Sequence, residues 1–279
     1  MKPYEMQWSS ATPGLLIILV DQSGSMLNKY DGNESKTAVA ARAVNKVIDT
    51  IINKNYHEDK PKNRCFISVI GYNHNVKELV SGKLADLDAN PLRVDTVMKR
   101  QPDNAGGIIE VPYRMPIWVE PITQDGTTNM KGAFEMAKVL IDKWIQQNPD
   151  NPAPVIINIS DGVPYYDGKD VTDCMRETID IAKDIMNMSV ADGNVLVFNA
   201  LIREAGRNQM FPVSKEECAN DESKFLYDIS SIVPDAYKAV AHLKKLPVMD
   251  GSRGCIFEAD EVSLISLIDF GSSKGQRDI

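Results

Sequence analysis

The chain has 279 residues, of which 43% are hydrophobic and 25% charged, and this is long enough for one large α/β domain or two small ones. A formal net charge of −8 argues against nonspecific binding to nucleic acid or to an anionic membrane. No stretch approaches the ~20 apolar residues of a membrane span. The residues before Pro13 also lack the apolar core of a signal peptide.

The first apolar run, residues 15–20, ends directly in Asp21, and Ser23 and Ser25 follow at alternate positions. Six apolar residues between turn signals predict a strand buried on both faces. Open α/β sheets bind their ligands at the C-terminal ends of such strands. A carboxylate and two hydroxyls are hard oxygen ligands that suit Mg²⁺. This D-x-S-x-S pattern is weak evidence alone and gains weight from its place after a strand.

Helical and strand patterns alternate through the rest of the chain. Ser35 is expected to cap a helix that runs to about Asn53, since the apolar residues keep to one stripe. Residues 65–70 predict the next strand, and 76–80 predict its hairpin partner at the sheet edge. Helices are predicted at 130–145, about 171–188, near 234–246 and about 261–268, with strands at 155–160, 195–202 and 255–257. The alternation predicts a doubly wound, mainly parallel central sheet with one antiparallel edge strand and helices on both faces.

Two segments, at about 81–124 and 203–253, are predicted to be excursions from a single domain that spans 1–279. The first holds five prolines and Gly106-Gly107, so it is expected to be irregular. Its Ile117-Trp118-Val119 either packs in the core or contacts a partner. The second includes an acidic run at 216–222, a pattern that is usually a solvated face.

The four cysteines, Cys65, Cys174, Cys218 and Cys255, are scattered without C-x-x-C spacing. This spacing suits neither a disulfide framework nor a zinc site. Cys65 and Cys255 lie in apolar strand patterns, so buried thiols are expected there. A cytoplasmic location is the corresponding prediction.

Two further segments carry polar groups that could complete a metal site. Asp125-Gly126-Thr127-Thr128-Asn129 precedes the helix at 130–145, and Ser160-Asp161-Gly162 ends the buried strand at 155–160. Each segment alone has a structural alternative, because Asp-Gly and Ser-Gly form turns and Thr128 could cap a helix. Tyr165-Tyr166-Asp167, just beyond Asp161, is either ordinary loop packing or an aromatic rim of the site.

The D-x-S-x-S, Thr and Asp segments, in this order, resemble the von Willebrand factor A (vWA) family and its metal-ion-dependent adhesion site. The resemblance implies that Ser23 and Ser25 ligate Mg²⁺ directly and that Asp21 and Asp161 act mainly through bound water. Thr128, which precedes Asn129 as the family's threonine precedes a small polar residue, would bind directly when a partner is engaged. Thr127 is the alternative.

The resemblance implies a non-enzymatic module that binds an acidic residue of a partner protein through Mg²⁺, or through Mn²⁺. A metal-dependent hydrolase is the less favoured function, since the motifs contain no His or Glu as a general base. The chain most resembles stand-alone cytosolic bacterial vWA proteins, including those associated with tellurite resistance. That subgroup implies kinase and phosphatase partners in stress or phage-defence signalling. The alternative is a partner of an AAA+ ATPase in metal insertion or complex remodelling, and the sequence does not separate the two.

Overall fold

The structure is a computed structural model that describes residues 2–103, 107–203 and 208–275. Its main strands, in chain order, are β1 (Gly14–Asp21), β2 (Cys65–Tyr72), β3 (Val76–Lys83), β4 (Arg93–Pro102), β5 (Ile108–Ile117), β6 (Val155–Ser160), β7 (Leu196–Ile202), β8 (Gln209–Met210) and β9 (Cys255–Ala259). The helices are α1 (Lys36–Lys54), α2 (Leu84–Ala89), α3 (Met130–Gln147), α4 (Val171–Asn187), α5 (Asp221–Asp228), α6 (Asp235–Leu243) and α7 (Glu261–Gly271). Short strands pair locally at Lys29–Asp31 with Glu34–Ser35, Tyr56–His57 with Lys60–Pro61, and Ser189–Val190 with Gly193–Asn194. Turns of 3₁₀ helix lie at Gly24–Leu27, Lys215–Glu217 and Ser273–Gly275.

Seven strands form the central sheet in the order β8-β9-β7-β6-β1-β2-β3. The pairs from β9 to β2 are parallel, and β3 runs antiparallel to β2 at one edge, as the sequence predicts. At the other edge, β8 adds an antiparallel strand that the sequence did not predict. Its two residues are too few to show an alternating pattern.

The sheet is buried between two helical layers. All eight residues of β1 are buried, because its side chains alternate between the two layers. Helices α1, α6 and α7 contribute to the core on one face, and α3, α4 and α5 to the core on the other. Each fully buried Leu or Ile of β1 contributes roughly 1.5–3 kcal/mol, so the strands that lead to the site are held firmly.

The segment expected to be irregular is instead mostly regular, and that prediction was wrong. After α2, strands β4 and β5 pair antiparallel over ten residues each and form a separate two-stranded ribbon. The prolines within it, Pro102, Pro112 and Pro116, all fall on alternate rungs of the ladder. A proline is compatible with a strand where its nitrogen points away from the neighbouring strand, which sequence composition does not show.

The apolar residues after the ribbon pack in the core, so the core alternative for Trp118 and Val119 is confirmed. Both are almost fully buried, and the Trp118 indole N–H donates to the Leu87 carbonyl at 2.8 Å. The Asn45 amide of α1 accepts the backbone N–H groups of Trp118 and Val119 at 2.9 and 3.0 Å. The ribbon is therefore tied to α1 at its base.

The described part of the second excursion contains β8, the turn Lys215–Glu217, α5 and α6. Helix α6 confirms the helix predicted near 234–246. The acidic run lies mostly on the exposed turn and in the first turn of α5, where carboxylates favour the helix dipole. Residues 104–106 of the first excursion, including Gly106, and 204–207 of the second lie outside the described residues.

All four cysteines are buried and free, which confirms the expected buried thiols. Burial raises the pKa of the Cys65 and Cys255 thiols. Among the helices of the described ranges, none combines the length and the apolar character needed to cross a membrane.

Candidate metal site

Two of the three predicted segments, the one that begins at Asp21 and the one that contains Asp161, meet at the C-terminal ends of the neighbouring strands β1 and β6. These strands are in register, with Val20 opposite Ile159, so Asp21 and Ser160 emerge side by side. The Ser160 hydroxyl donates to Asp21 Oδ2 at 2.7 Å. Sequence reasoning did not assign this serine a role, although its position before Asp161 placed it at the same sheet edge.

Four of the five predicted site residues are joined by a continuous chain of polar contacts. Asp21 Oδ1 accepts the backbone N–H of Ser23 at 2.8 Å, and the Ser23 and Ser25 hydroxyls lie 3.1 Å apart. The Ser25 hydroxyl donates to Asp161 Oδ1 at 2.7 Å. The structure therefore brings Asp21, Ser23, Ser25 and Asp161 together, as the sequence predicted.

A lysine that sequence reasoning missed completes this cluster. Lys36 Nζ donates to Asp161 Oδ2 at 2.8 Å, and the side chains of Lys36 and Asp161 are only 12% and 3% exposed. Lys36 is the first residue of α1, directly after the Ser35 cap. The only signal in the sequence was that a helix predicted to begin at Ser35 starts with a cation. An ammonium group thus contacts the same carboxylate as the Ser25 hydroxyl, on its other oxygen.

The threonine loop is adjacent to the cluster and is fixed by backbone contacts. Gly24 N donates to the Gly126 carbonyl at 2.9 Å, which ties this loop to the serine loop. Thr128 exchanges two backbone hydrogen bonds with Tyr165, of 2.7 and 3.0 Å, which tie it to the loop after Asp161. All three predicted segments therefore meet at one edge of the sheet.

Thr128 is not the cap of the helix that follows. Asn129 caps α3, with its side-chain oxygen accepting Gly132 N at 3.0 Å. The structural alternative for Thr128 is therefore excluded, and its hydroxyl is left for another role. Thr127 and Thr128 are both half-buried, so exposure does not decide between them.

Asp125, an acidic residue in addition to Asp21 and Asp161, lies against the serine loop. A Cβ atom at Gly24 would stand 1.6 Å from Asp125 Oδ1, so only glycine permits this close approach. Asp125 itself is exposed, and its carboxylate accepts the Gly126 N–H. The glycine between the two serines thus allows a further carboxylate beside the cluster.

The electrostatics of the cluster favour a cation. Asp21 is fully buried, and this burial, together with the charge of Asp161, raises the pKa of Asp21 to about 7. Burial and the nearby Asp21 also raise the pKa of the Tyr72 hydroxyl well above its usual value. Two carboxylates in one buried place repel each other unless a positive charge lies between them. Lys36 supplies one such charge.

Behind the cluster, a seam of buried polar side chains crosses the sheet. The Tyr72 hydroxyl donates to Asn158 Oδ1 at 2.9 Å, and Asn158 Nδ2 donates to Asn199 Oδ1 at 3.0 Å. Asn199 Nδ2 donates in turn to the Ser230 hydroxyl at 2.9 Å. These side chains come from β2, β6, β7 and the turn after α5, and each is almost completely buried. Since buried polar groups must be paired, the seam holds these elements in one arrangement.

The two tyrosines after Asp161 differ in role. Tyr165 is 46% exposed and lies at the rim beside Thr128, whereas Tyr166 is buried and its hydroxyl donates to Glu177 Oε2 at 3.0 Å. Tyr165 therefore fits the aromatic-rim interpretation, and Tyr166 fits the loop-packing interpretation.

The donor set of the cluster fits a divalent cation. It consists of carboxylate and hydroxyl oxygens, which are the ligands of Mg²⁺, and the Lys36 ammonium already stands in for a positive charge there. Within residues 2–103, 107–203 and 208–275, no three His, Cys, Asp or Glu side chains group as metal ligands. A cation at this place would therefore use the serine hydroxyls beside the carboxylates.

Comparisons with known proteins give a likeness of fold. No family model and no curated protein matches the sequence. Among solved structures, a mutant of the PilB minor pilin from Streptococcus sanguinis has a TM-score of 0.51 and 10% identity, with coverage of 95% of this chain and 62% of that one. With the strand order described above, this places the chain in the predicted fold class. The fold is a doubly wound α/β fold with a mainly parallel central sheet.

Two other solved structures are similar at lower scores. Manganese-loaded TRAP from Plasmodium vivax has a TM-score of 0.42 and 13% identity over 92% of this chain and 72% of that one. The ArnB paralog VWA2 from Sulfolobus acidocaldarius has 0.38 and 18% over 70% of this chain and 36% of that one. The chain spans a fifth of the three-domain structure of the pilus tip protein Mfa5 from Porphyromonas gingivalis. These identities concern fold alone.

Proposed function

We propose that the chain is a non-enzymatic, Mg²⁺-dependent protein-interaction module that captures a carboxylate of a partner protein. The observation that carries this proposal is the position of Lys36 Nζ, 2.8 Å from a carboxylate oxygen that belongs to the same cluster as two serine hydroxyls. One carboxylate of the cluster is therefore already paired with a positive charge. The cluster also lies at a sheet edge bordered by half-buried and exposed loops, where a partner can reach it.

In this proposal, Ser23 and Ser25 hold the ion directly, and Asp21 and Asp161 hold its water ligands. Neutral hydroxyl ligands leave most of the ion's charge uncompensated, so the bound ion supplies an electrophilic point for an incoming Asp or Glu. Asp21 is oriented for this role because Ser160 and the Ser23 backbone occupy one lone pair on each of its oxygens. Mn²⁺ accepts the same ligand set.

Lys36 has to leave Asp161 when an ion enters, since both need the same carboxylate. Its side chain belongs to the first residue of α1 and is 12% exposed, so it can turn outward without a change in the helix. Metal-free, the lysine neutralises Asp161 and keeps the loop in place. Metal affinity is therefore set by a competition between the ion and an internal cation.

Hydrolysis is the second candidate, and the residues of the site favour binding over it. A hydrolytic site needs a general base. The loops at 21–25, 125–129 and 160–167 contain no His or Glu for that role. Asp21 and Asp161 are assigned in this proposal to the water ligands of the ion, and we propose no catalytic role for either residue.

The biological setting is proposed from the resemblance of the motifs to stand-alone bacterial vWA proteins. It comprises a cytoplasmic location and kinase or phosphatase partners in stress, tellurite-resistance or phage-defence signalling. An AAA+ ATPase partner in metal insertion or complex remodelling is the alternative. Capture from the native cell, with and without EDTA, followed by identification of the retained proteins, distinguishes these two settings.

Metal binding is tested by calorimetry with Mg²⁺ and by the water relaxation of Mn²⁺. We expect one ion per chain in the wild type and none in the Ser23→Ala/Ser25→Ala double variant. Ser266→Ala is the matched control, because its hydroxyl makes only a helix-backbone bond on α7. Unchanged binding in the double variant would overturn the assignment.

The coupling of metal to partner is tested at the threonine loop. Thr128→Ala should weaken partner binding more than metal binding, because the threonine is expected to join the ion only when a partner is engaged. Thr127→Ala is the internal comparison and decides which of the two threonines is the ligand. Partner binding that persists in EDTA, or metal-dependent turnover of phosphoesters that is lost in Asp21→Ala, would contradict the proposal.

A further inference from the structure

The ribbon formed by β4 and β5 offers a second, chemically different surface. In the described part of the chain, β4 pairs with β5 alone, so the outer edges of both strands have no strand partner. All residues of β4 except Asp95 are exposed. Long exposed edges are sites of strand addition unless something protects them.

The two edges are protected unequally. In an antiparallel ladder, alternate rungs direct their backbone N–H and C=O groups outward. Pro112 and Pro116 lie on such alternate rungs, opposite Met98 and Val94, and a proline fits there only with its nitrogen pointing outward. Two outward positions of β5 therefore have no donor, and proline is one of the means by which proteins block an edge.

The outer edge of β4 has no such block over most of its length. The same rungs direct the N–H and C=O groups of Val94, Thr96, Met98 and Arg100 outward, and proline occurs only at the end of the strand, at Pro102. One edge thus presents a row of four donors and acceptors, while the other is interrupted twice. This asymmetry indicates that the β4 edge is the one left open for pairing.

A groove lies beside this open edge, between α1 and the ribbon. Its volume is about 420 Å³. Ala38, Ala41 and Asn45 line it on the side of α1, and Asp95, Val97 and Met115 line it on the side of the ribbon. A strand added to β4 would direct alternate side chains into this groove and the others to the opposite face, where Val94 is 42% exposed.

Charge selects the occupant. Strand β4 carries Arg93, Lys99 and Arg100 against the single anion Asp95, whereas the chain as a whole has a net charge of −8. Arg93 also pairs with Glu120, and Arg100 pairs with Glu110 of β5. These ion pairs are exposed and contribute little, so carboxylates of a partner can replace them.

Two copies paired antiparallel through β4 must set outward groups opposite outward groups, so the pairing centres on a residue such as Thr96 or Val97. Centred on Thr96, it would place Arg93 of one copy opposite Lys99 of the other, and like charges directly opposite are destabilising. Centred on Val97, it would place Asp95 opposite Lys99, so the sedimentation measurement below tests for a second copy. An acidic segment would instead place carboxylates opposite the cations of β4, which is favourable.

We propose that the outer edge of β4 binds an extended, acidic segment of a partner protein by strand addition, with apolar side chains at alternate positions entering the groove beside α1. Backbone hydrogen bonds at Val94, Thr96, Met98 and Arg100 provide the pairing, and the cations of β4 provide the preference for glutamate or aspartate. This surface acts without the metal and is distinct from the Asp21–Asp161 cluster.

The test uses two labelled synthetic peptides of about ten residues, the length of β4, each of alternating valine and threonine. One is flanked by glutamates and the other by lysines. Fluorescence anisotropy in EDTA measures binding to the wild type and to two variants of a single rung, Thr96→Pro on β4 and Arg114→Pro on β5. Each substitution removes one outward N–H and leaves the bonds between β4 and β5 intact, so the variants differ only in which edge is blocked.

We expect the glutamate peptide to bind the wild type and Arg114→Pro alike, and Thr96→Pro about tenfold more weakly, as the loss of a hydrogen bond and of strand alignment implies. The lysine peptide should bind more weakly than the glutamate peptide. Amide hydrogen exchange provides a second readout: in the free protein Thr96 and Met98 should exchange faster than Asp95 and Val97, and the glutamate peptide should slow them.

Three results would overturn the proposal. They are equal binding to both proline variants, protection of Thr96 and Met98 in the free monomer, and a concentration-dependent protection that accompanies dimerisation in sedimentation. The last of these would assign the edge to a second copy of the chain. Since every assay contains EDTA, the outcome is independent of whether the metal site functions.

Discussion

The cluster around Asp161 and the ribbon beyond α1 use opposite means to present a binding surface. The cluster hides two carboxylates and pairs them internally with hydroxyl, backbone and ammonium groups. The ribbon exposes a row of backbone groups that nothing in the described chain satisfies. A buried site selects by charge and size, whereas an open edge selects by conformation. In the two proposals, one domain holds two partners at separate surfaces.

The largest expected effect concerns Asp161. Asp161→Ala removes the carboxylate that Ser25 and Lys36 share, and residues that orient metal-bound water typically matter 10–100-fold in affinity. We expect a loss of this size in Mg²⁺ affinity by calorimetry, with the strand addition at β4 unaffected. Asp142→Ala, an exposed change on α3, is the control. Wild-type affinity in Asp161→Ala would mean that the cluster is only a structural turn.

Lys36→Met should act in the opposite direction. Without the internal cation, nothing competes with Mg²⁺ for Asp161. Because the Lys36–Asp161 ion pair is largely buried, we expect its loss to raise the Mg²⁺ affinity about tenfold. Lys54→Met, at the other end of α1 and paired with Asp269, is the matched control and should leave the affinity unchanged. An unchanged affinity in Lys36→Met would show that the lysine leaves the site at no cost.

The stability of the metal-free protein should fall as pH rises. The pKa of Asp21 is about 7 in the folded protein and 3.8 ordinarily, so the folded state holds its proton more tightly than the unfolded state. This contribution is present below about pH 4 and is lost between about pH 4 and pH 7. We expect a lower Tm at about pH 8 than at about pH 5, a smaller difference with saturating Mg²⁺, and a flatter profile in Asp21→Asn. An equally steep profile in Asp21→Asn would assign the effect to other groups.

The smallest effect concerns the attachment of the ribbon to α1. The Tyr113 hydroxyl donates to Asp49 Oδ2 at 2.7 Å and accepts from Asn53 at 3.1 Å. Tyr113→Phe should lower the free energy of unfolding by about 1 kcal/mol and speed amide exchange in β5, with no change in Mg²⁺ affinity. Tyr56→Phe, which loses an exposed bond to Asp88, is the control. A changed Mg²⁺ affinity would mean that the two regions are coupled.

The sequence predicted the central sheet and the meeting of Asp21, Ser23, Ser25 and Asp161 because these follow from local patterns. A run that is apolar at every position is readable as a strand buried on both faces, and its end places the next side chains. The ribbon was not predicted, because β4 is exposed on both faces, β5 is only partly buried on one face, and prolines are usually signs of irregular chain. Lys36 was missed for a different reason: its partner is 125 residues away, and no spacing encodes such a contact.

The asparagine pair behind the site has a consequence for folding accuracy. Asn158 and Asn199 are directly opposite each other in β6 and β7, and their amides are hydrogen-bonded in an otherwise apolar interior. If β7 slipped by one residue, each amide would face hydrocarbon without a partner, and apolar residues on both sides offer no other penalty for the slip. The pair thus fixes the register between two strands whose apolar residues alone would permit several registers. The position at which Ser160 and Asp161 leave the sheet is therefore set by two amides that lie behind the cluster and take no part in binding.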